Sequence, residues 1–241
     1  MSLKTRKQYQ EFLRDKGFYF GVIDGIVGKN TKDATLACFQ NKKAVAITTT
    51  QKITLAKRLG DTNLVRLNAV TKVESLGSGW FNDGRPKILY ERHKFWQFND
   101  ESKAPKSTYF NYPEWGNYTI DADGNGIDDS YDKLLKACEY DPLAAFKSVS
   151  MGAFQVMGEY HVAMGYKTPW DMLFACTHSE QAQYELLASF LEMKKAKSQF
   201  LALSEKPDAC RPFALIYNGK NYAKNDYHGK LAAAVKYYKN R

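Results

Sequence analysis

The sequence predicts a mainly α-helical protein with two parts: a small three-helix segment, and a larger α+β part that holds a small β-hairpin region. Apolar residues recur at helical spacing over most of the 241 residues. No strand–helix alternation and no long-period repeat interrupts that pattern. With 44% hydrophobic residues, the chain can bury one large core or two unequal ones. We therefore predict two domains, residues 1–60 and residues 61–241.

Three short helices are predicted in the first domain. The first covers about 5–16, where Tyr9 and Leu13 share a face, and Gly17 ends it. The second begins near residue 30, after a stretch rich in glycine turns. The third begins near residue 48, where threonines can cap it, and ends near residue 60.

The larger domain begins with a predicted helix over about 62–74. Aromatic and β-branched residues around Gly84-Arg85-Pro86 then predict a hairpin or an extended loop over 77–98. A polar loop rich in Gly, Asp and Asn follows, to about residue 132. The pattern is helical again beyond it, with helices predicted at about 131–138, 141–149, 155–165, 168–175, 178–204, 207–217 and 227–239.

The net charge of +9 favours a polyanionic partner. Nucleic acid, anionic lipid and the bacterial cell wall all qualify. No nucleic-acid recognition motif is present, so a nucleic-acid partner is not expected. A zinc site or a redox pair is not expected either, because no C-x-x-C motif or histidine at ligand spacing accompanies the four cysteines, Cys38, Cys138, Cys176 and Cys210. We predict that these thiols are reduced and buried.

No apolar run follows the basic start, and no stretch approaches the roughly 20 apolar residues of a membrane span. We expect a chain made in the cytoplasm without a signal peptide. An activity outside the cytoplasm would then require release by another component.

A turn-rich pattern occupies residues 13–40. It includes Gly17-Phe18-Tyr19, Gly21-Val22-Ile23-Asp24-Gly25, Gly28, Thr31, Ala34 and Phe39-Gln40. This pattern resembles the three-helix peptidoglycan-binding domain of wall hydrolases. The resemblance implies a groove for glycan and peptide stem at Asp24, Gly25, Gly28 and Thr31, which would raise the local substrate concentration. From the residues alone, Asp24 orders a turn by bonding backbone amides, and Phe39 belongs to the core.

Glu74 follows an apolar helical face and precedes a run of glycines. A carboxyl group there would lie at a helix C-terminus, close to Trp80 and Phe81. The helix dipole and desolvation would both disfavour its charged form and raise its pKa. A general acid for glycosidic cleavage at neutral pH needs such a pKa. The alternative is a solvated glutamate at a helix end.

Three blocks of sequence strengthen the catalytic interpretation. They are Glu74-Ser75 with Gly77-Ser78-Gly79-Trp80-Phe81 and Gly84 to His93; Ser148 to Gly158; and Phe213 with Tyr217-Asn218-Gly219, Tyr222 and Tyr227. Together they resemble the N-acetylmuramidase domain of phage endolysins, and the second is also similar to the substrate cleft of goose-type lysozymes. The resemblance implies that Glu74 protonates the bond between N-acetylmuramic acid and N-acetylglucosamine. It also implies that Gln155, Tyr217 and Asn218 line the cleft.

The second catalytic group is less defined. Glycosidases usually pair two carboxylates, and Glu91 is the candidate. The alternative is a structural ion pair of Glu91 with Arg92 or His93. Trp80 and His93 are further candidates for substrate binding, although the residues alone favour a satisfied core histidine over a catalytic role for His93. Met151 departs from the family pattern, in which an aromatic residue is common.

An acidic loop carries oxygen ligands at relative positions 1, 3, 5, 9 and 12, with glycine at position 6. The ligands would be Asp121, Asp123, Asn125, Asp129 and Asp132. This spacing suits a structural calcium ion. A plain Asx-turn segment without metal is the alternative. No cofactor is expected to be required for activity.

The last twelve residues carry Lys230, Lys236, Lys239 and Arg241 on a helical pattern. They could contact anionic envelope lipid, or form an ordinary terminal helix that packs on the domain.

Taken together, we expect a monomeric peptidoglycan hydrolase that lyses the host at the end of a phage cycle, and that reaches the periplasmic wall through a phage-made pore. A lytic transglycosylase acting on the same bond and a non-catalytic wall-binding protein are the alternatives. A zinc amidase is disfavoured, because the four histidines lack ligand spacing.

Overall fold

The computed structural model describes residues 2–75, 78–99, 104–116, 118, 121, 124 and 128–241. In these residues the chain is mainly helical and has one small antiparallel sheet, so the predicted fold class is confirmed. The helices are α1 (Ser2–Asp15), α2 (Lys29–Cys38), α3 (Thr49–Arg58), α4 (Val65–Glu74), α5 (Arg92–Phe98), α6 (Asp129–Cys138), α7 (Pro142–Lys147), α8 (Pro169–His178), α9 (Glu180–Met193), α10 (Lys197–Leu201), α11 (Pro207–Asn218) and α12 (Tyr227–Lys239).

The sheet joins strands that are distant in sequence. Its strands are β1 (Ile88–Tyr90), β2 (Val149–Met151) and β3 (Val156–Met157). β2 lies between the other two and is antiparallel to both, with Leu89 opposite Ser150 and Ser150 opposite Met157. The hairpin or extended loop predicted within 77–98 is present as a tight turn, in which Trp80 and Pro86 form an isolated antiparallel bridge. The rest of that range differs, since β1 pairs with β2 and 92–98 is helical. The helix predicted over 155–165 is wrong, because β3 and a short 3-10 turn occupy its start.

The helix predicted over 178–204 is divided in two. Ser179 caps α9 by accepting a hydrogen bond from the amide of Ala182. The helix ends where Lys195 adopts a φ of 53°, in the left-handed region that a continuing helix cannot use. The short α10 then begins at Lys197.

The first three helices share a hydrophobic core with the rest of the chain. The ring of Tyr9 lies 5.2 Å from that of Phe146 and 5.3 Å from that of Trp170. Phe39 is fully buried and lies 5.6 Å from Phe146, which confirms its predicted place in the core. At the edge of this contact, the Thr5 hydroxyl donates to Asp141. The division into domains at residue 60 stays a prediction.

The packing of α12 fixes the end of α4. α4 lies against α12, and α12 also lies against α11. Leu231 and Val235 of α12 are buried, as are Leu67 and Val70 of α4. The apolar face of the terminal helix is thus part of the core, as the packed-helix alternative predicted. This arrangement brings the C-terminal ends of α4 and α11 beside the start of α12.

All four cysteines are free and buried, as predicted. Within the described ranges, every helix is too short or too polar to span a bilayer.

Candidate active site

Glu74 lies at the edge of a pocket of about 560 Å³, between the end of α4 and the start of α12. Such a volume is within the range of ligand sites. The pocket is lined by Lys72, Val73, Glu74, Asn225, Tyr227, Lys230, Ala233, Ala234 and Tyr237. Since Glu74 is the last residue of α4, the predicted position at a helix C-terminus is confirmed.

Burial raises the pKa of Glu74 from 4.5 to about 7. Two weaker influences act in the opposite direction: a hydrogen bond from Asn218, and the positive charge of Lys230. The Asn218 Nδ2 group donates to Glu74 Oε1 at 3.2 Å. Desolvation therefore dominates, and the group titrates near neutral pH.

Asn218 and Tyr217 reach Glu74 from the end of α11. The helix stops at Gly219, whose φ of 71° lets the chain turn away at once. The Tyr217 hydroxyl donates to the carbonyl oxygen of Phe154 at 2.7 Å. Tyr217 is therefore a partly buried link between the end of α11, where Asn218 contacts Glu74, and the turn that connects β2 with β3.

That turn holds Gln155 in a strained conformation. Gln155 has a φ of 50°, which is uncommon for a residue other than glycine. Its side-chain Oε1 accepts from the Ser150 hydroxyl at 2.8 Å, and its Nε2 donates to the carbonyl of Gly152 at 2.9 Å. Both ends of the amide are thus fixed, while the residue remains exposed on the surface of the turn.

Gln183 was not among the residues predicted from the sequence, but it supports the same turn through buried hydrogen bonds. Its buried side chain accepts from the amide of Ala153 at 2.7 Å and donates to the carbonyl of Cys176 at 2.9 Å. A Cβ atom on Gly79 would lie 1.8 Å from Gln183 Oε1, so only glycine fits there. A polar residue on the buried face of a predicted helix was the signal that could have revealed Gln183.

Glu91 and His93 lie together at the end of β1. The hydroxyl of Tyr118 donates to Glu91 Oε2, and His93 Nδ1 lies 3.4 Å from the same oxygen. Burial lowers the pKa of His93, and Glu91 acts in the opposite direction. No hydrogen bond or ion pair between the described residues joins Glu91 to Glu74, so the catalytic role of Glu91 stays a prediction.

Trp80 lines a groove separate from the Glu74 pocket. Asn41, Lys42, Phe81 and Glu180 are among the other residues lining this groove, which therefore lies between the amino-terminal segment and the loop after α4. The indole Nε1 of Trp80 is buried and has no partner in the described residues. A substrate-binding role for Trp80 stays a prediction.

Three of the predicted wall-binding residues, Asp24, Gly25 and Gly28, form an ordered turn before α2, and Thr31 lies in the first turn of that helix. Asp24 accepts from the amide of Ile26 at 2.8 Å and from Gln10 Nε2 at 2.9 Å, which confirms that it orders the loop. The Gln10 and Ile26 hydrogen bonds lower the pKa of Asp24. Gly25 adopts a φ of 81° and donates its amide to Gln10, while Gly28 caps α2. The side chain of Thr31 is buried.

The acidic loop is described only in part. Asp123 and Asn125 lie outside the described residues. Asp129 and Asp132 belong to the first turn of α6, and Asp129 Oδ2 lies 4.0 Å from Lys133 Nζ. No group of three or more metal-ligating side chains occurs in the described residues. Calcium binding stays a prediction.

No site role is predicted from the sequence for Lys72 or Tyr227, and Lys230 is predicted to belong to the basic tail. The structure brings all three into the Glu74 pocket, although α4 and α12 are separated by about 150 residues of sequence. Their place follows from the packing of the two helices, which has no local sequence signal.

A carboxyl group of raised pKa at a helix end, in a mainly helical fold with one small antiparallel sheet, is typical of a lysozyme-like glycosidase. Comparison with known proteins agrees. The N-acetylmuramidase family matches residues 63–239, and the chain belongs to that family. It is a glycoside hydrolase that acts on peptidoglycan.

A solved structure, that of the Burkholderia AP3 phage endolysin, is similar along almost the whole chain. The alignment has a TM-score of 0.69 and 29% identity, and covers 98% of this chain and 95% of the other. No curated protein matched in a sequence search.

Proposed function

We propose that the chain is a phage endolysin in which Glu74 is the general acid that cleaves the bond between N-acetylmuramic acid and N-acetylglucosamine. The main support for this proposal is that the Glu74 carboxyl group lies in an open pocket and has a pKa of about 7. At neutral pH about half of such groups hold a proton. A general acid must hold its proton when substrate arrives and lose it in the transition state.

The hydrogen bond from Asn218 indicates which oxygen carries that proton. Asn218 donates to Oε1, and an oxygen that accepts is the poorer place for the proton. Oε2 is therefore the donor to the glycosidic oxygen. Tyr217 and Asn218 act as positioning residues, since one end of α11 holds both Glu74 and the turn that carries Gln155.

Glu91 is proposed as the second carboxyl group, which activates water or stabilises the developing positive charge on the sugar. It follows β1 directly, and its amide donates to the carbonyl oxygen of Ser148, the residue before β2, at 2.8 Å. Tyr118 and His93 would hold the carboxylate in one orientation. The structural ion-pair alternative predicts instead that replacing Glu91 affects stability more than turnover.

The test compares wild type with Glu74→Gln and Glu91→Gln on isolated peptidoglycan. Glu192→Gln is the control, because Glu192 pairs with Arg58 on the surface. Mass spectrometry of the released ends should show reducing N-acetylmuramic acid for wild type and the control. Glu74→Gln should be inactive while folded, and wild-type kcat/KM should fall as pH rises through about 7. Full activity of Glu74→Gln would refute the assignment, and anhydro ends would refute hydrolysis.

We further propose that residues 1–60 bind the wall. Phe20, Val22 and Ile26 are 90%, 78% and 69% exposed around the Asp24 turn. Exposed apolar residues of this density mark interaction surfaces. Two shallow grooves adjoin them, one of which is lined by Asp24, Gly28 and Thr31 among others.

Sedimentation of the full chain with insoluble peptidoglycan tests the wall-binding proposal. Replacing Phe20, Val22 and Ile26 by alanine in the Glu74→Gln background should reduce the bound fraction. Val162→Ala is the control, because Val162 is 72% exposed elsewhere on the surface. Equal binding by both variants would contradict the proposal.

The endolysin role rests on the likeness to the phage enzyme over nearly all of both chains. We propose that the chain meets the periplasmic wall after release through a phage-made pore. Bacteria that express the chain in the cytoplasm should stay intact, and should lyse when the inner membrane is permeabilised. Lysis without permeabilisation would contradict the need for a pore.

A further inference from the structure

Two lysine side chains line the Glu74 pocket. Lys72 comes from α4 and Lys230 from α12, so both helices that form the pocket contribute a cation. Glu74 is the one carboxyl group among the described residues that line it, and its raised pKa leaves it partly neutral at pH 7. The pocket therefore has a net positive charge, which favours an anionic ligand group.

The two cations are held in place without being neutralised. The Lys72 ammonium lies 3.7 Å from the ring centre of Tyr237, and the Lys230 ammonium lies 5.6 Å from that of Tyr227. The Arg241 guanidinium lies 4.4 Å from the Tyr237 ring as well. An aromatic face attracts a cation but leaves its charge available. In the described part of the chain, neither lysine forms an ion pair with a carboxylate.

The chemistry of the polymer indicates what such a site would bind. A chain of N-acetylated sugars is neutral apart from the lactyl group on N-acetylmuramic acid and the peptide stem attached to it. The lactyl carboxylate is free where the stem has been removed; where a stem is attached, the lactyl carboxyl group is an amide and the stem's own carboxylates carry the charge. These groups project from the sugar next to the bond that is cleaved. We propose that Lys72 and Lys230 form a subsite for a carboxylate carried by N-acetylmuramic acid, on its lactyl group or its peptide stem. The inference rests on the proposed cleavage at Glu74.

A binding experiment in the Glu74→Gln background separates charge recognition from any change in the acid itself. Calorimetry would measure Kd for three probes: a stem-bearing muropeptide tetrasaccharide, the same glycan with its stems removed, and neutral chitotetraose. The variant is Lys72→Gln with Lys230→Gln. The control is Lys57→Gln with Lys167→Gln, which removes the same charge from exposed positions away from the pocket.

The pocket variant should bind the stem-bearing glycan roughly 3- to 10-fold more weakly, the size expected for two partly exposed ion pairs. Chitotetraose should bind unchanged, and the control should match its parent on every probe. A loss confined to the stem-bearing glycan would identify the stem, because stem attachment converts the lactyl carboxyl group into an amide. An equal loss on the stem-free glycan would show that the site also accepts the free lactyl carboxylate. No loss on either, or an equal loss on chitotetraose, would overturn the proposal.

Kinetics of the active enzyme provide a second test of the proposed subsite. The ratio of kcat/KM on muropeptide to kcat/KM on chitotetraose should fall roughly 3- to 10-fold in the pocket variant. Arginine at both positions should restore it, because the charge is retained. An unchanged ratio in a variant that still cleaves peptidoglycan would overturn this subsite alone. A wild type that cleaves no peptidoglycan would instead refute the role of Glu74.

Discussion

Replacing Glu74 by glutamine should stabilise the protein at alkaline pH. The pKa of Glu74 is about 7 in the folded chain, against an ordinary value of 4.5. A tenfold change in a protonation equilibrium is worth 1.36 kcal/mol, so ionising this group in the folded state costs roughly 3 kcal/mol more than in the unfolded chain. Glutamine never ionises, and its amide oxygen can still accept the hydrogen bond from Asn218.

The sign of the effect follows from linkage. A raised folded-state pKa contributes stability that is fully present below the unfolded pKa and is lost as pH rises through the folded pKa. Wild type and Glu74→Gln should therefore be equally stable near pH 4. They should diverge between pH 4.5 and about 7, and differ by about 3 kcal/mol at pH 8.5. For a chain of this size, that difference corresponds to a Tm about 6 to 12 °C higher for the variant.

Urea unfolding at pH 4 and at pH 8.5 measures the difference directly. Glu192→Gln is the matched control, because hydrogen bonds and charge from Arg58 and Lys197 lower the pKa of Glu192. The expected change in stability has the opposite sign. The control should be less stable than wild type at pH 8.5, by under about 1 kcal/mol, and its stability should approach that of wild type as the pH falls. A Glu74→Gln variant that is no more stable than wild type at pH 8.5 would refute the desolvation argument.

Three further substitutions test the supports of the site. Tyr217→Phe leaves the carbonyl of Phe154 without its donor, and should lower the free energy of unfolding by about 1 to 3 kcal/mol, measured with urea. An unchanged free energy of unfolding would mean that water replaces the hydroxyl and that this hydrogen bond does not support the site. Gln183→Leu leaves the buried amide of Ala153 unpaired, and should cost at least about 2 kcal/mol and lower kcat at a temperature where the variant is folded. Tyr9→Ala should cost about 3 to 5 kcal/mol and lower one calorimetric transition of the whole chain, whereas two separate transitions would contradict a shared core.

The helices near the site could be predicted because each carries a long apolar period. The predicted bounds of 227–239 agree with α12, and 207–217 agrees with α11 to within one residue. The strands could not be predicted, since they are only two or three residues long. Val149, Ser150 and Met151 are all buried, so no alternation of polar and apolar residues marks the strand.

In the candidate site, too, residues marked by local sequence features could be predicted, and residues placed by long-range packing could not. Glu74 could be located because its helix, its terminal position and the following glycines are all local features. Trp80 is only six residues further on, and proximity in sequence predicted contact with Glu74. The structure shows Trp80 in the lining of the groove beside Asn41, and not among the residues that line the Glu74 pocket. Lys230 could not be assigned, because its position depends on how α12 packs against α4.

The burial of the cysteines makes the covalent state of the chain independent of its surroundings. Burial raises the pKa of Cys38 and Cys176 to about 12, so that at pH 7 about one such thiol in 100,000 is ionised. The thiolate is the form that attacks disulfides and alkylating reagents. We therefore expect the native thiols to stay free in a reducing or an oxidising compartment. A cysteine engineered onto the surface would react with a maleimide dye far ahead of the native four, so fluorescence could follow a single labelled molecule on the wall.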